Sequence, residues 1–172
     1  MQKSLTTERL LLRAFALSDA QRVQTLAGDQ RAADMTANIP HPYLDGVAEQ
    51  WIGSHETLFK NNQAVVYAIV FIETDLLVGA VSLNPITEGD ANLGYWLGVP
   101  YWGKGYATEA ARAIVQHGFS ELCLTMIHAQ HLVTNPASGK VIMKCGFDCI
   151  SDKKLTVSGK VRHVKHYEQH NR

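Results

Sequence analysis

Between Tyr95 and Ala111 the chain reads Y-W-L-G-V-P-Y-W-G-K-G-Y-A-T-E-A-A. Gly103, Lys104 and Gly105 make a tight loop between a strand-like segment and one with the composition of a helix. A glycine loop at such a junction aims several backbone N–H groups, free of intrahelical partners, at one point. With the positive end of the helix dipole they form a site for phosphate. Glycine also tolerates positive φ and lets a ligand approach the backbone closely. The stretch reads as a pyrophosphate cradle. It departs from the Walker loop, because Lys104 lies between two glycines with no Ser or Thr beside it. It departs from the dinucleotide fingerprint too, because Thr108 holds the place of the third glycine.

Other residues of chemical interest lie further on. Asn135 and Ser138 have the spacing of a helix start, where both types cap routinely. His163, His166 and His170 invite a metal reading. On a strand, however, the odd separation sends His163 and His166 to opposite faces and spoils shared ligation. They read as a solvated strand edge, and no metal is expected. Lys153, Lys154, Lys160, Arg162 and Lys165 read as ordinary edge-strand charges.

The elements that must position these residues follow from pattern. Thr7 to Ala14 reads as a first strand. Ser18 with Gln21 forms a capping box for a helix ending near Gly28, and Gln30 to Ile39 holds a short, poorly defined helix or loop. Asp45 is placed to cap a second amphipathic helix carrying Val47, Trp51, Ile52, Leu58 and Phe59. Trp51 fits core packing. Strands are expected over Val65 to Ile72, Leu77 to Leu83 and Asn92 to Val99, joined by short turns and hence antiparallel, with Pro100 ending the last. A helix over Thr108 to Leu122 buries Ala111, Ile114, Val115 and Phe119. A strand over Thr125 to Leu132 follows, and then a helix with Pro136 at its first position and Gly146 after its end. Asp148 to Lys154 and Lys160 to His170 close the chain across Ser158-Gly159. The fold class is α/β: one domain over residues 1–172, with a mixed, largely antiparallel central sheet and helices on both faces.

Composition limits the function. In 172 residues, 16 Lys plus Arg balance 16 Asp plus Glu, which argues against strong capture of nucleic acid or an anionic membrane. Cys123, Cys145 and Cys149 lack a disulfide framework spacing and suit a reducing cytoplasm. No apolar run approaches the ~20 residues a membrane helix needs.

The cradle, followed by N-P-A-S-G-K-V-I-M-K-C-G-F, resembles the GNAT superfamily of acetyl-CoA-dependent N-acetyltransferases. Its Q/R-x-x-G-x-G/A motif matches Trp102-Gly103-Lys104-Gly105-Tyr106-Ala107, with Trp in first place. The opening T-E-R-L-L-L-R, the G-Y-W-L strand and W-G-K-G-Y-A-T-E-A narrow the resemblance to the RimJ/RimL-type ribosomal-protein N-terminal acetyltransferases. The ordered set N-x-x-S-x-x-x-x-x-K-x-G-F at Asn135, Ser138, Lys144, Gly146 and Phe147 points the same way.

That resemblance implies acetyl-CoA as cosubstrate and an amine acceptor, a protein N-terminus or a small amine. Leu97, Gly98 and Val99 would pair with the pantetheine arm, and a backbone N–H there would hold the oxyanion. Backbone amides from Gly103 to Thr108 would take the pyrophosphate. Asn135 would bind the pantetheine amide or orient its helix, and Ser138 would face the thioester sulfur. The resemblance also implies a place for the Trp51 helix and for His41-Pro42-Tyr43 at the mouth of the acceptor site. Many relatives carry a Tyr acid seven residues after the Asn, where this chain has Ile142, so Ser138 becomes the candidate. The branch usually has Glu where Asn92 stands, and a neutral amide takes no proton. The base is then His131, near the cofactor end of its strand, or Asp90 or Glu88 nearby in sequence, or a water relay or bulk solvent. Dimers are common among similar proteins, so a homodimer stays open. Two other readings remain: a small-amine or antibiotic acetyltransferase, and a catalytically weak acyl-CoA-binding module.

Overall fold

The computed structural model describes residues 1–157 and 159–172; Ser158, in the expected last turn, lies outside the described residues. Eight strands form one sheet in the order β1-β2-β3-β4-β5-β6-β8-β7. They are β1 (Leu5–Thr6), β2 (Leu10–Arg13), β3 (Val65–Phe71), β4 (Leu77–Thr87), β5 (Asp90–Leu97), β6 (Met126–Leu132), β7 (Asp148–Val157) and β8 (Lys160–His170). The helices are α1 (Ala20–Ala27), α2 (Gln30–Asp34), α3 (Val47–Lys60), α4 (Tyr106–Ser120) and α5 (Pro136–Lys144). All neighbouring strands pair antiparallel except β5 and β6, which run parallel across the α4 connection.

The continuous apolar run of β3 is buried on both faces. Val65, Tyr67 and Ile69 join a core with α4 and α5 residues Ile114, Val115 and Ile142. Ala68 and Val70 point the other way, into a second core with Val23 and Leu26 of α1 and Ala48 and Ile52 of α3. The period of two therefore sorts one strand's side chains between two helical layers.

Several expectations are corrected. The first strand is interrupted: the Thr7 N–H bonds back to Leu10 O at 2.9 Å, and β1 folds onto β2 as a small hairpin. Ser18 sits inside a single 3-10 turn over Leu17–Asp19 rather than capping α1. Asp19 holds that turn, accepting the Ala16 N–H at 2.8 Å and pairing with Arg13 at 2.8 Å. The carboxylate outcompetes the hydroxyl because it also gains a cation. Gly46, at φ +84°, precedes α3 in place of Asp45, whose carboxylate accepts from the Gln24 amide at 2.7 Å. Leu97 ends β5, and Val99–Tyr101 is a 3-10 turn with Pro100 inside it.

β8 is not an edge. It lies between β6 and β7, so β7 carries the exposed lysines while His166 is buried at 5% exposure. His163 is exposed, as the alternation requires. Among the described residues no helix is long and apolar enough to cross a membrane.

Candidate active site

β5 and β6 are in register only from Asp90 opposite Met126 to Leu93 opposite Ala129. Beyond that pair both strands continue, β5 to Leu97 and β6 to Leu132, without pairing to each other. A parallel pair that parts in this way leaves backbone donors and acceptors facing a gap, where an extended ligand can add as a strand. Gly98 donates its N–H to Val78 O at 2.8 Å, back toward β4. Pleat alternation turns the amide and carbonyl of Leu97 the other way, toward the gap. The Leu97 carbonyl is also met by the Trp102 indole N–H at 2.9 Å. Of the expected Leu97 to Val99 contacts, the Gly98 N–H is therefore committed to the sheet, whereas the Leu97 amide faces the gap.

Trp102 ties the end of β5 to the start of the cradle. Gly103 and Gly105 adopt φ of +73° and +82°, values that the other L-residues reach only with strain. A Cβ at Gly105 would lie 3.4 Å from the Arg9 guanidinium, while Gly103 faces open space. The Glu109 N–H closes onto Gly105 O at 3.1 Å, so the amides of Tyr106, Ala107 and Thr108 occupy the helix positions that lack intrahelical partners.

The opening T-E-R stretch braces this loop. The Glu109 carboxylate accepts from the Thr7 hydroxyl at 2.6 Å, from the Arg9 amide at 2.8 Å and from Arg9 Nε at 2.7 Å. Arg9 also donates to Lys104 O at 3.1 Å and lies 4.5 Å over the Tyr106 ring. Burial acts to raise the Glu109 carboxyl, but these donors outweigh it and hold it below the usual range. Two motifs distant in sequence thus form one structure.

A cleft of about 220 Å³ separates the cradle from α5, lined by Leu97, Tyr101, Tyr106, Thr108, Lys140 and Lys144. Lys140 and Lys144 bring positive charge to the side facing the cradle. Sequence reasoning missed Lys140; its i, i+4 spacing with Lys144 on α5 was the available signal.

At the other wall of the gap, Asn135 caps α5. Its Oδ1 accepts the Ser138 N–H at 3.3 Å, and its Nδ2 donates to Met35 O at 3.1 Å, tying α5 to the end of α2. Ser138 Oγ lies 2.6 Å from the Tyr95 hydroxyl, which also donates to Ser138 O at 3.1 Å. Ile142, where many relatives have a tyrosine acid, is fully buried. Tyr95 was not among the expected residues, although alternation along G-Y-W-L sends it to the α5 side with Leu93 and Leu97. Burial pushes its phenol up to about 12. The group stays protonated and donates a hydrogen bond.

Two candidate bases are placed differently. His131 lies under α5 at 8% exposure, its ring 2.6 Å from where a Cβ of Gly139 would stand. Nδ1 meets Leu132 O at 2.8 Å and Nε2 meets the Tyr167 hydroxyl at 3.1 Å. The structure does not bring His131 to the opposite face of the sheet, where Asn92 lies with Trp96. Asn92 stands opposite His128, a residue the sequence reading passed over, just before the strands part.

Trp51 packs edge-on against Phe15 at 5.0 Å and His55 at 4.5 Å, inside the second core. His55 is 8% exposed, and neither ring nitrogen has a partner among the described residues. Burial pulls it down to about 4, so it is neutral near pH 7.

Comparison with known proteins meets this geometry. The acetyltransferase (GNAT) domain family matches residues 9–148. An uncharacterized N-acetyltransferase, p20 of Bacillus licheniformis, is 34% identical over 148 residues, covering 84% of this chain and 82% of the relative. The ribosomal-protein-serine acetyltransferase of Escherichia coli is 31% identical over 108 residues, 57% of this chain and 60% of that one. Among solved structures, the RimL ribosomal L7/L12 α-N-protein acetyltransferase in complex with coenzyme A superposes with a TM-score of 0.88. It is 19% identical, with 98% of each chain covered. The chain therefore belongs to the GNAT acetyltransferase family, with acetyl-CoA as its acyl donor.

Proposed function

We propose that the protein transfers acetyl from acetyl-CoA to a primary amine, a protein or peptide N-terminal α-amine, by direct attack within a ternary complex. The observation that carries the reading is the parting of β5 from β6 directly after Leu93 and Ala129, with the cradle at one end of the gap. Acetyl-CoA supplies an activated thioester. Amides from Gly103 to Thr108 hold its pyrophosphate, Lys140 and Lys144 add charge, and the Leu97 amide pairs with the pantetheine arm. Asn135 sets the angle of α5. Ser138 and Tyr95 offer a hydrogen bond to the departing sulfur. A phenol near 12 gives up its proton reluctantly to a thiolate with an ordinary value of about 8.5, so the pair stabilises the anion by hydrogen bonding.

Positioning supplies most of the acceleration. Asn92 orients the acceptor and takes no proton. The face around it carries Trp96, His128 and Gln130, and its carboxylates Asp90 and Glu168 stand beside His128. Such a mixed, partly open face fits a peptide end better than a polycation, and similarity to ribosomal-protein acetyltransferases supports the same choice. Three free thiols fit a reducing cytoplasm.

The test is to incubate protein and radiolabelled acetyl-CoA with cell extract split into macromolecular and small-molecule fractions. Label in a protein band, lost when N-termini are blocked, is expected. Label confined to small molecules would move the assignment to a metabolite or drug amine. Bound but intact acetyl-CoA would favour a binding module.

A further inference from the structure

We propose that His128 of β6 and His166 and Glu168 of β8 form a binding site for a divalent transition-metal ion, with Zn²⁺ the ion of choice. Acetyl transfer in this family needs no metal, so the ion would take no part in the transfer step, although His128 and Glu168 also border the proposed acceptor face. Glu168 is directly opposite His128 in the antiparallel register, and His166 is its neighbour two residues away on the same face. The three ligand atoms form a nearly equilateral triangle. His128 Nδ1 to His166 Nε2 is 3.3 Å, His166 Nε2 to Glu168 Oε1 is 3.1 Å, and His128 Nδ1 to Glu168 Oε1 is 3.6 Å. Bonds of about 2.0–2.1 Å at tetrahedral angles place ligand atoms about 3.3–3.4 Å apart. The three separations therefore match the spacing of ligand atoms around a tetrahedral Zn²⁺ ion. Two imidazoles and one carboxylate suit Zn²⁺ far better than Mg²⁺ or Ca²⁺, which prefer oxygen.

The surroundings favour ligation. A hydrogen bond to the remote ring nitrogen fixes a ligating histidine; His166 has such a contact, and His128 has a carboxylate at ion-pair distance. His128 Nε2 faces Asp90 Oδ2 at 3.8 Å, and Asp90 is itself held by the Thr125 hydroxyl at 3.2 Å. His166 Nδ1 meets the Gln130 amide at 3.2 Å. With the Gln130 oxygen turned inward, Nδ1–H donates to it and Nε2 keeps its lone pair for the metal. His170 Nε2 lies 3.7 Å from Glu168 Oε2. His166 is buried, while the His128 and Glu168 side chains are 21% and 23% exposed, leaving a path for the ion and an open fourth position. A bound ion would clamp β6 to β8 beside the foot of the gap.

Chelator-stripped full-length protein titrated with Zn²⁺ in a calorimeter should take up one equivalent at this site. At a hundredfold excess over Kd, melting should rise by roughly 5–10 °C. Glu168→Gln, which keeps shape and removes the anionic ligand, should weaken binding by at least about 100-fold, and Asp90→Asn by about tenfold. Metal-free Glu168→Gln must melt with the metal-free wild type, which separates lost ligation from lost folding. His128→Ala serves as the alternative if it does not. Co²⁺ in place of Zn²⁺ should show tetrahedral d–d bands without a thiolate charge-transfer band. No saturable binding, binding indifferent to both substitutions, or a thiolate band from Cys123 or Cys149 would overturn the proposal. None of these readouts depends on acetyl transfer.

Discussion

The two faces of the sheet are built by different means. On the α4/α5 face, the cradle, cap and brace are main-chain features locked by short polar contacts: Glu109 to Thr7 and Arg9, Asn135 to Ser138, and Trp102 to Leu97. On the opposite face, α1 and α3 cover β3 and β4 with an apolar and aromatic core. Beyond it, β5, β6 and β8 present Asn92, His128, Gln130, His166 and Glu168. On the proposed function, the first face would hold a fixed ligand through its backbone, which side-chain substitution alters little. The second would recognise its ligand through side chains.

Breaking the backbone face should have the largest effect. Gly105→Val forces a β-branched residue to +82° with Arg9 beside its Cβ, so coenzyme A affinity by calorimetry should fall at least about 100-fold. The fold itself should survive in circular dichroism. Tyr95→Phe should lower kcat by about tenfold with the KM for acetyl-CoA nearly unchanged, since it removes a hydrogen bond that strengthens only as the sulfur departs. An equal rise in KM would make Tyr95 a packing residue instead.

Asn92→Glu sharpens the contrast from the other face. A carboxylate there should raise turnover on the order of tenfold, and unchanged turnover would place the proton acceptor elsewhere. Glu109→Gln should cost about 1–2 kcal/mol in urea unfolding and weaken coenzyme A binding several-fold, because Arg9 keeps only part of its partner.

The aromatic core gives a pH signature. His55 is neutral in the fold down to about 4 but protonates in the unfolded chain near 6.5. Between those values the unfolded state binds more protons, so stability is full above about 6.5 and falls as pH drops toward 4. The loss is up to roughly 3 kcal/mol. His55→Phe should flatten that slope in urea titrations at several pH values, and an unchanged slope would assign it to other groups.

The sequence carried most of the α4/α5 face because its causes are local. Two glycines at a strand–helix junction, a proline at the first position of α5 and Gly146 after it each act within a few residues. Helix starts were misplaced where a competing partner came from afar. Asp45 serves Gln24 instead of α3, and Asp19, bound to Arg13, holds the turn assigned to Ser18. The brace between Thr7, Arg9 and Glu109 spans about a hundred residues of chain, which no local period reveals.

The histidines mark the boundary most clearly. Alternation correctly separated His163 from His166 by face, a consequence of the period of two along any strand. It did not place β8 inside the sheet, because strand order follows from how the chain returns after α5. Only that order sets His166 and Glu168 against His128 and buries His131 under Gly139. Spacing along one strand decides which face a side chain takes; which residue meets it across the gap is decided by the strand that packs alongside.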